Sequence, residues 1–112
     1  MGYRSTVVLA MKENRFKLML DGFTDSLAMD VLGYSRKSIR DEWVMLSWND
    51  VKWYEGYPSV DAVMNFIGGE EMDQDEFEFH RLGEDNDDYE THGESGCSPF
   101  NIHLYRSLDW EE

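Results

Sequence analysis

Residues 43–67 read W-V-M-L-S-W-N-D-V-K-W-Y-E-G-Y-P-S-V-D-A-V-M-N-F-I and hold three of the four tryptophans of the chain. The run Trp43–Trp48 is apolar or aromatic except at Ser47. Such a run predicts a strand that is covered on both faces and lies inside its sheet. Asn49-Asp50 is a turn signal, after which residues 51–54 either resume a strand or form an aromatic-lined loop.

The same stretch predicts a helix that begins with Ser59 as its N-cap and stops at Gly68-Gly69. A serine hydroxyl accepts a hydrogen bond from a free amide of the first turn, and Asp61 suits the positive end of a helix. Apolar side chains then recur on one helix face, at Val60, Val63, Met64 and Ile67. We expect the two glycines to end the helix in the left-handed conformation.

Toward the N-terminus, the apolar run within Tyr3–Met11 predicts the first strand. Residues 12–32 keep helical spacing and form either one helix or two short helices that meet near Asp21-Gly22, with Thr24 capping the second. Gly33 ends this region in both cases. The basic residues 34–41 are expected to form a polar loop.

Toward the C-terminus, Phe77, Phe79 and Arg81 alternate with Glu76, Glu78 and His80. This alternation predicts a strand with one apolar and one acidic face. Residues 93–99 have the composition of a flexible linker. A last strand is expected at about Phe100–Leu108.

The order of elements, β-α-β-(β)-α-β-β, predicts a single α+β domain over residues 1–112. Two or three helices would form one layer on a mixed or antiparallel sheet of four to five strands. The order of elements does not determine the oligomeric state. No apolar run approaches the ~20 residues of a membrane span, and a lone cysteine, Cys97, suits a reducing cytoplasm.

The charge is strongly asymmetric. Residues 1–40 carry seven basic and four acidic side chains, whereas residues 41–112 carry three basic and twenty acidic ones, and the whole chain has a formal charge of −14. Twelve of the acids fall in residues 70–94. Such an excess disfavours direct nucleic-acid binding and favours a partner with a basic surface.

The candidate partner-binding residues are therefore acidic and aromatic. Acids at alternate strand positions have a spacing suited to mimicry of nucleic-acid phosphates. The acidic set consists of Glu76, Glu78, Glu84, Asp85, Asp87, Asp88 and Glu90. Aromatic side chains are typical interface anchors, and the candidates are Trp53, Tyr54 and Tyr57.

Arg81 and Arg106 each lie on an apolar strand face in the acidic half. We expect them to form structural ion pairs with carboxylates such as Glu84 or Asp88; the alternative is an anion clamp. The acids at 84–90 lack the glycine and the final glutamate of a calcium loop. No catalytic residues, metal ligands or cofactor site are predicted, and we expect the chain not to be an enzyme.

Three segments together resemble a family of small acidic proteins encoded by tailed bacteriophages. They are G-Y-R-S-T-V at residues 2–7, W-N-D-V-K-W-Y-E-G-Y at residues 48–57 and R-L-G-E-D-N-D-D at residues 81–88. Val51 stands where the family usually has isoleucine. The resemblance implies phage origin, the cytoplasm of a bacterial host, and counter-defence or host takeover. Taken together with the charge asymmetry, it leads us to expect an inhibitor of a nucleic-acid-handling host protein. The alternatives are a metal- or anion-binding module and an accessory phage protein without inhibitory role.

Overall fold

The computed structural model describes residues 4–33, 35–69, 72–84, 88–100, 102–105 and 107–109. In chain order the elements are β1 (Ser5–Lys12), α1 (Glu13–Asp21), α2 (Asp25–Gly33), β2 (Arg36–Arg40), β3 (Trp43–Val51), α3 (Pro58–Ile67), a turn of 3-10 helix (Gln74–Glu76), β4 (Phe77–Gly83), β5 (Tyr89–Gly93), β6 (His103–Tyr105) and β7 (Ser107–Asp109). None of the helices in these ranges is long and apolar enough to cross a membrane.

Five strands form one antiparallel sheet in the order β2-β3-β1-β4-β5. Together with the three helices, this sheet confirms the predicted α+β class with a single sheet. β3 lies between β2 and β1, so the apolar run that begins at Trp43 occupies an interior position, as predicted.

The two faces of the sheet have separate covers. Along β1, Val7, Leu9 and Met11 belong to a large cluster that includes side chains of all three helices. Val8 and Ala10 point to the opposite face, where they pack with Met45 and Phe100. Alternation along the strand therefore divides the core in two, and the chain near Phe100 covers the face that the helices leave open.

The helical segment 12–32 consists of two helices. Thr24 caps the second as expected, because its hydroxyl accepts a hydrogen bond of 3.2 Å from the Leu27 amide. The next helix, α3, begins at Pro58 and not at a Ser59 cap, and no side chain caps it. Proline is well suited to the first helical position because its missing N–H would be unpaired there. Gly68 ends α3 with φ −88°, so it stays right-handed instead of left-handed.

Two of the predicted irregular segments are strands. Residues 34–41 were expected to form a loop, but Arg36–Arg40 is an edge strand paired with β3. The connecting residues Asp41 and Glu42 both have positive φ, as in the two-residue hairpin turns whose twist suits antiparallel strands. Asn49-Asp50 is not a turn either: β3 continues to Val51, and the extra residue is accommodated by a shift in register against β1.

The segment from Glu94 to Phe100, here called the strap, is bound to β4 and is not a flexible linker. The Glu94 amide donates to the carbonyls of Gln74 and Phe77. Beyond the strap, the expected single strand Phe100–Leu108 is instead a small separate hairpin of β6 and β7, and Arg106 lies outside the described residues.

Gly93, at the end of β5, permits the close approach of β5 to β4. Its φ is +80°, and a Cβ atom there would lie 2.3 Å from the carbonyl oxygen of Phe77. We expect Gly93→Ala to lower the free energy of unfolding by about 2 kcal/mol or more. Gly33→Ala, where nothing lies within 4 Å, should change it by less than about 1 kcal/mol. Urea denaturation of both variants checks this, and equal stabilities would contradict it.

Candidate functional site

The acidic face that was expected on β4 is not available to a partner. Glu78 is fully buried, and its carboxylate accepts hydrogen bonds from the amides of Gly96 (3.2 Å) and Ser98 (3.0 Å) in the strap. His80 Nε2 lies 2.7 Å from the same carboxylate. Glu76 is only 13% exposed and forms an ion pair of 3.0 Å with Arg15. Both acids therefore stabilise the fold, and the predicted row of strand charges is absent from the surface.

The pKa of Glu78 follows from these contacts. Burial alone would raise it, but the hydrogen bonds from His80, Ser98 and Gly96 outweigh burial and hold the pKa below its usual value. Within the described residues, the buried atoms His80 Nδ1 and Ser47 Oγ have no hydrogen-bond partner. Since Val8 pairs with Ser47 on one side and with His80 on the other, the two atoms belong to one row of residues across the sheet.

Arg81 is surrounded by acceptors, as expected for a structural ion pair. Its guanidinium donates to both carboxylate oxygens of Asp88 (2.8 and 3.3 Å), to Glu90 (3.1 Å) and to Ser5 Oγ (3.2 Å). The hydrogen bond to Asp88 raises the pKa of Arg81. Since all three nitrogens of the guanidinium are used, Arg81 has little capacity to clamp an external anion.

Glu90 connects this ion pair to the aromatic side chains. Partial burial would raise its pKa, but the hydrogen bonds from His92 (2.6 Å) and Arg81 hold it below the usual value. The His92 ring in turn lies 5.6 Å from the ring of Phe79. Of the other predicted acids, Glu84 is exposed and accepts a hydrogen bond from the Arg4 amide, and Asp85 and Asp87 lie outside the described residues.

The aromatic loop between β3 and α3 is fixed to the core on one side. Trp53 is half-buried, with its ring 5.0 Å from that of Trp48 and 6.1 Å from that of Phe79. Tyr54 and Tyr57 pair with each other at 5.6 Å, and Tyr57 is 44% exposed. The loop therefore presents partly buried rings that pack against the core or against each other.

Two surface clefts flank Trp53. The first, here called the acidic cleft, has a volume of about 470 Å³ and is lined by Trp53, Tyr54, Glu55, Asp61, Asp88 and Glu90, among others. Its lining contains four carboxylates and one guanidinium, that of Arg81, a formal charge of −3. The second, the apolar cleft, has a volume of about 370 Å³ and includes Val31, Trp48, Val51, Trp53, Tyr57 and Val63 in its lining. Both volumes are in the range of ligand-binding pockets.

The acidic cleft brings together residues that are far apart in the sequence. Trp53, Tyr54, Asp88 and Glu90 were predicted from composition and all line it. Glu55 and Asp61 were not assigned to a site, although Glu55 lies within the aromatic loop and Asp61 follows it in the first turn of α3. Asp61 Oδ1 accepts a hydrogen bond of 3.0 Å from the Gly56 amide, which holds the loop against the first turn of α3.

Cys97 and the acids near residue 75 offer little reactive chemistry. Burial, reinforced by the charges of Glu78 and Glu94, raises the pKa of Cys97 to about 11, so the thiol stays protonated at neutral pH and is a poor nucleophile. Asp73, Asp75 and Glu76 are the one group of ligand atoms close enough to hold a metal within the described residues. Glu76 is already paired with Arg15.

Comparisons of the chain with protein-family models, curated proteins and solved structures give no match. The resemblance to tailed-phage proteins therefore rests on the sequence motifs alone.

The Glu78 carboxylate makes stability depend on pH. Because its pKa is lowered in the folded state, its contribution is complete above the unfolded-state pKa of about 4.3 and is lost as the pH falls through the folded value. Glu78→Gln should cost about 2–3 kcal/mol at pH 7. The difference from the wild type should shrink between pH 5 and pH 3, since the substituted amide does not titrate. Urea denaturation at several pH values measures it, and a constant difference would contradict the assignment.

Arg81→Lys should lower the free energy of unfolding by about 1–2 kcal/mol, because an ammonium group cannot serve Asp88 and Glu90 in the fork geometry of a guanidinium. The matched control is Lys17→Arg at an exposed pair with Glu13, which should change it by no more than about 0.5 kcal/mol. Thermal and urea denaturation compare the two, and an Arg81→Lys protein as stable as the wild type would be inconsistent with the ion-pair role.

Proposed function

We propose that this chain is a phage-encoded acidic interaction protein that binds a basic surface of a nucleic-acid-handling host protein in the bacterial cytoplasm. Binding would inhibit or redirect that protein, as counter-defence or host takeover. The observation that carries the proposal is the acidic cleft, which joins aromatic side chains to an excess of carboxylates. Aromatic side chains in a cleft supply binding energy, and complementary charge speeds encounter and selects the partner.

The net charge of the chain also supports binding to a basic protein surface. With a formal charge of −14, the chain repels nucleic acid and attracts the basic surfaces that proteins use to bind phosphates. The buried and paired positions of Glu78 and Glu76 argue against mimicry by a regular row of strand acids. The proposal therefore places recognition at the acidic cleft, and the chain acts by binding and not by catalysis.

The anion-binding alternative is weaker. Arg81 is engaged by two carboxylates and a hydroxyl, and an external anion would have to displace them inside a cleft of net negative charge. No specific contact of the described residues favours the accessory-protein alternative.

The test is affinity capture from bacterial lysate with the tagged chain at low salt, followed by elution at rising salt. We expect a nucleic-acid-handling protein to be retained and then released, because screening weakens charge-driven contacts. Nucleic acid added at low salt should displace the chain from that protein, since both would occupy the basic surface. Empty beads at low salt, or a captured protein that nucleic acid does not displace, would contradict the proposed function.

A further inference from the structure

We propose that the acidic and apolar clefts together recognise one segment of a protein partner, in which an apolar side chain lies close to a lysine or arginine side chain. The inference rests on the proposed function, because it takes the ligand to be a protein with a basic surface. It adds which chemical groups of that partner are recognised and where each one binds.

The two clefts are neighbouring parts of one surface. Trp53 and Val60 line both of them. The indole of Trp53 is supported by Trp48 and Phe79, so the shared wall is fixed by the core. A chain segment that places one side chain in the first cleft therefore brings its neighbours to the second.

The apolar cleft is suited to an aliphatic or aromatic side chain. Its walls include Val51 and Trp53, which are half-buried, and Tyr57, which is 44% exposed. They stand on the buried side chains of Val31, Trp48 and Val63. Its charged lining residues, Asp30 and Lys52, carry opposite charges and cancel. An apolar side chain that covers the exposed part of this cleft removes apolar surface from water, which favours binding.

The acidic cleft is suited to a cationic side chain. Asp88 and Glu90 share Arg81, and Glu55 and Asp61 add two further carboxylates, so the lining stays at a formal −3. Trp53 and Tyr54 add aromatic rings, which attract cations through their faces. A lysine or arginine can place its alkyl stem against these rings and its charge beside the carboxylates.

A bare divalent ion fits this cleft less well. Calcium takes six to eight oxygen ligands at close range, whereas the one cluster of three metal-ligand atoms within the described parts of the chain is at Asp73, Asp75 and Glu76, outside the cleft. The cleft acids are thus too dispersed for a metal, although a long flexible cation can reach them. The occupant that satisfies both clefts is a peptide segment.

The test uses capped alanine-based peptides in which a phenylalanine and a lysine are separated by one, two or three residues. Each is titrated against the full chain and followed by calorimetry and by the tryptophan resonances. Matched peptides carry norleucine in place of lysine, or alanine in place of phenylalanine. We expect at least one spacing to bind about tenfold or more tightly than both of its matched peptides, with the Trp53 indole signal shifted on binding.

Variants of the chain assign the two subsites. Glu55→Gln with Asp61→Asn should weaken binding of the lysine peptide about three- to tenfold and leave the norleucine peptide nearly unchanged. Asp21→Asn with Glu94→Gln removes the same charge at exposed positions outside both clefts and should have little effect. Tyr57→Ala, in the apolar cleft only, should reduce the preference for phenylalanine over alanine. Melting curves verify that each variant is folded.

The inference is overturned if no peptide binds, if norleucine replaces lysine without loss, or if the distal pair of substitutions weakens binding as much as the cleft pair. These outcomes are separate from those of the lysate experiment. A captured, nucleic-acid-displaceable partner that binds the Glu55→Gln/Asp61→Asn chain as well as the wild type would keep the proposed function and refute the two-cleft site. Specific peptide binding without such a partner would keep the two-cleft site and refute the proposed function.

Discussion

The buried carboxylate of Glu78 holds the strap against the sheet. It accepts the strap amides of Gly96 and Ser98 and contacts His80 on its own strand. An ionised carboxylate without partners in this position would be strongly destabilising, so the strap must close for β4 to occupy the middle of the protein. Closure carries Phe100 onto the second face of the sheet, where it covers Val8 and Ala10.

The same principle explains why Glu76 and Glu78 form no acidic row on the surface of β4. Arg15 takes up Glu76, and Arg81 takes up Asp88 and Glu90. With only ten basic residues against 24 acidic ones, pairing at these sites leaves the remaining carboxylates in excess. At the acidic cleft, Arg81 orders the carboxylates of Asp88 and Glu90 by binding both. One positive charge cannot neutralise the four carboxylates of the lining, so the cleft stays negative.

The sequence predicts those features that depend on local periodicity. The apolar run of β3 is a local signal, and the structure contains the predicted strand. For residues 12–32 the local signals left one helix or two open, and the structure has two, with Thr24 capping the second. The sequence does not predict β2. An edge strand needs only one partner and one covered face, so it need not show an apolar run, and the basic residues of β2 are typical of a loop. The burial of Glu78 escapes prediction for the same reason: its partners in the strap lie about 20 residues away, and alternation with Phe77 and Phe79 assigned it to the solvent.

The candidate site illustrates the same limit in a different way. Composition identified the aromatic loop and the acids near residue 88, but nothing local indicates that the sheet brings Arg81 into the same cleft as Trp53. Once the sheet has formed, the loop has few alternatives: the Gly56 amide is held by Asp61, and the Trp53 ring lies against Trp48. A surface ordered before its partner arrives loses less conformational entropy on binding. If the clefts bind a partner as proposed, the core contacts of Trp53 would raise the affinity of both clefts for it, even though these contacts bury part of the Trp53 ring.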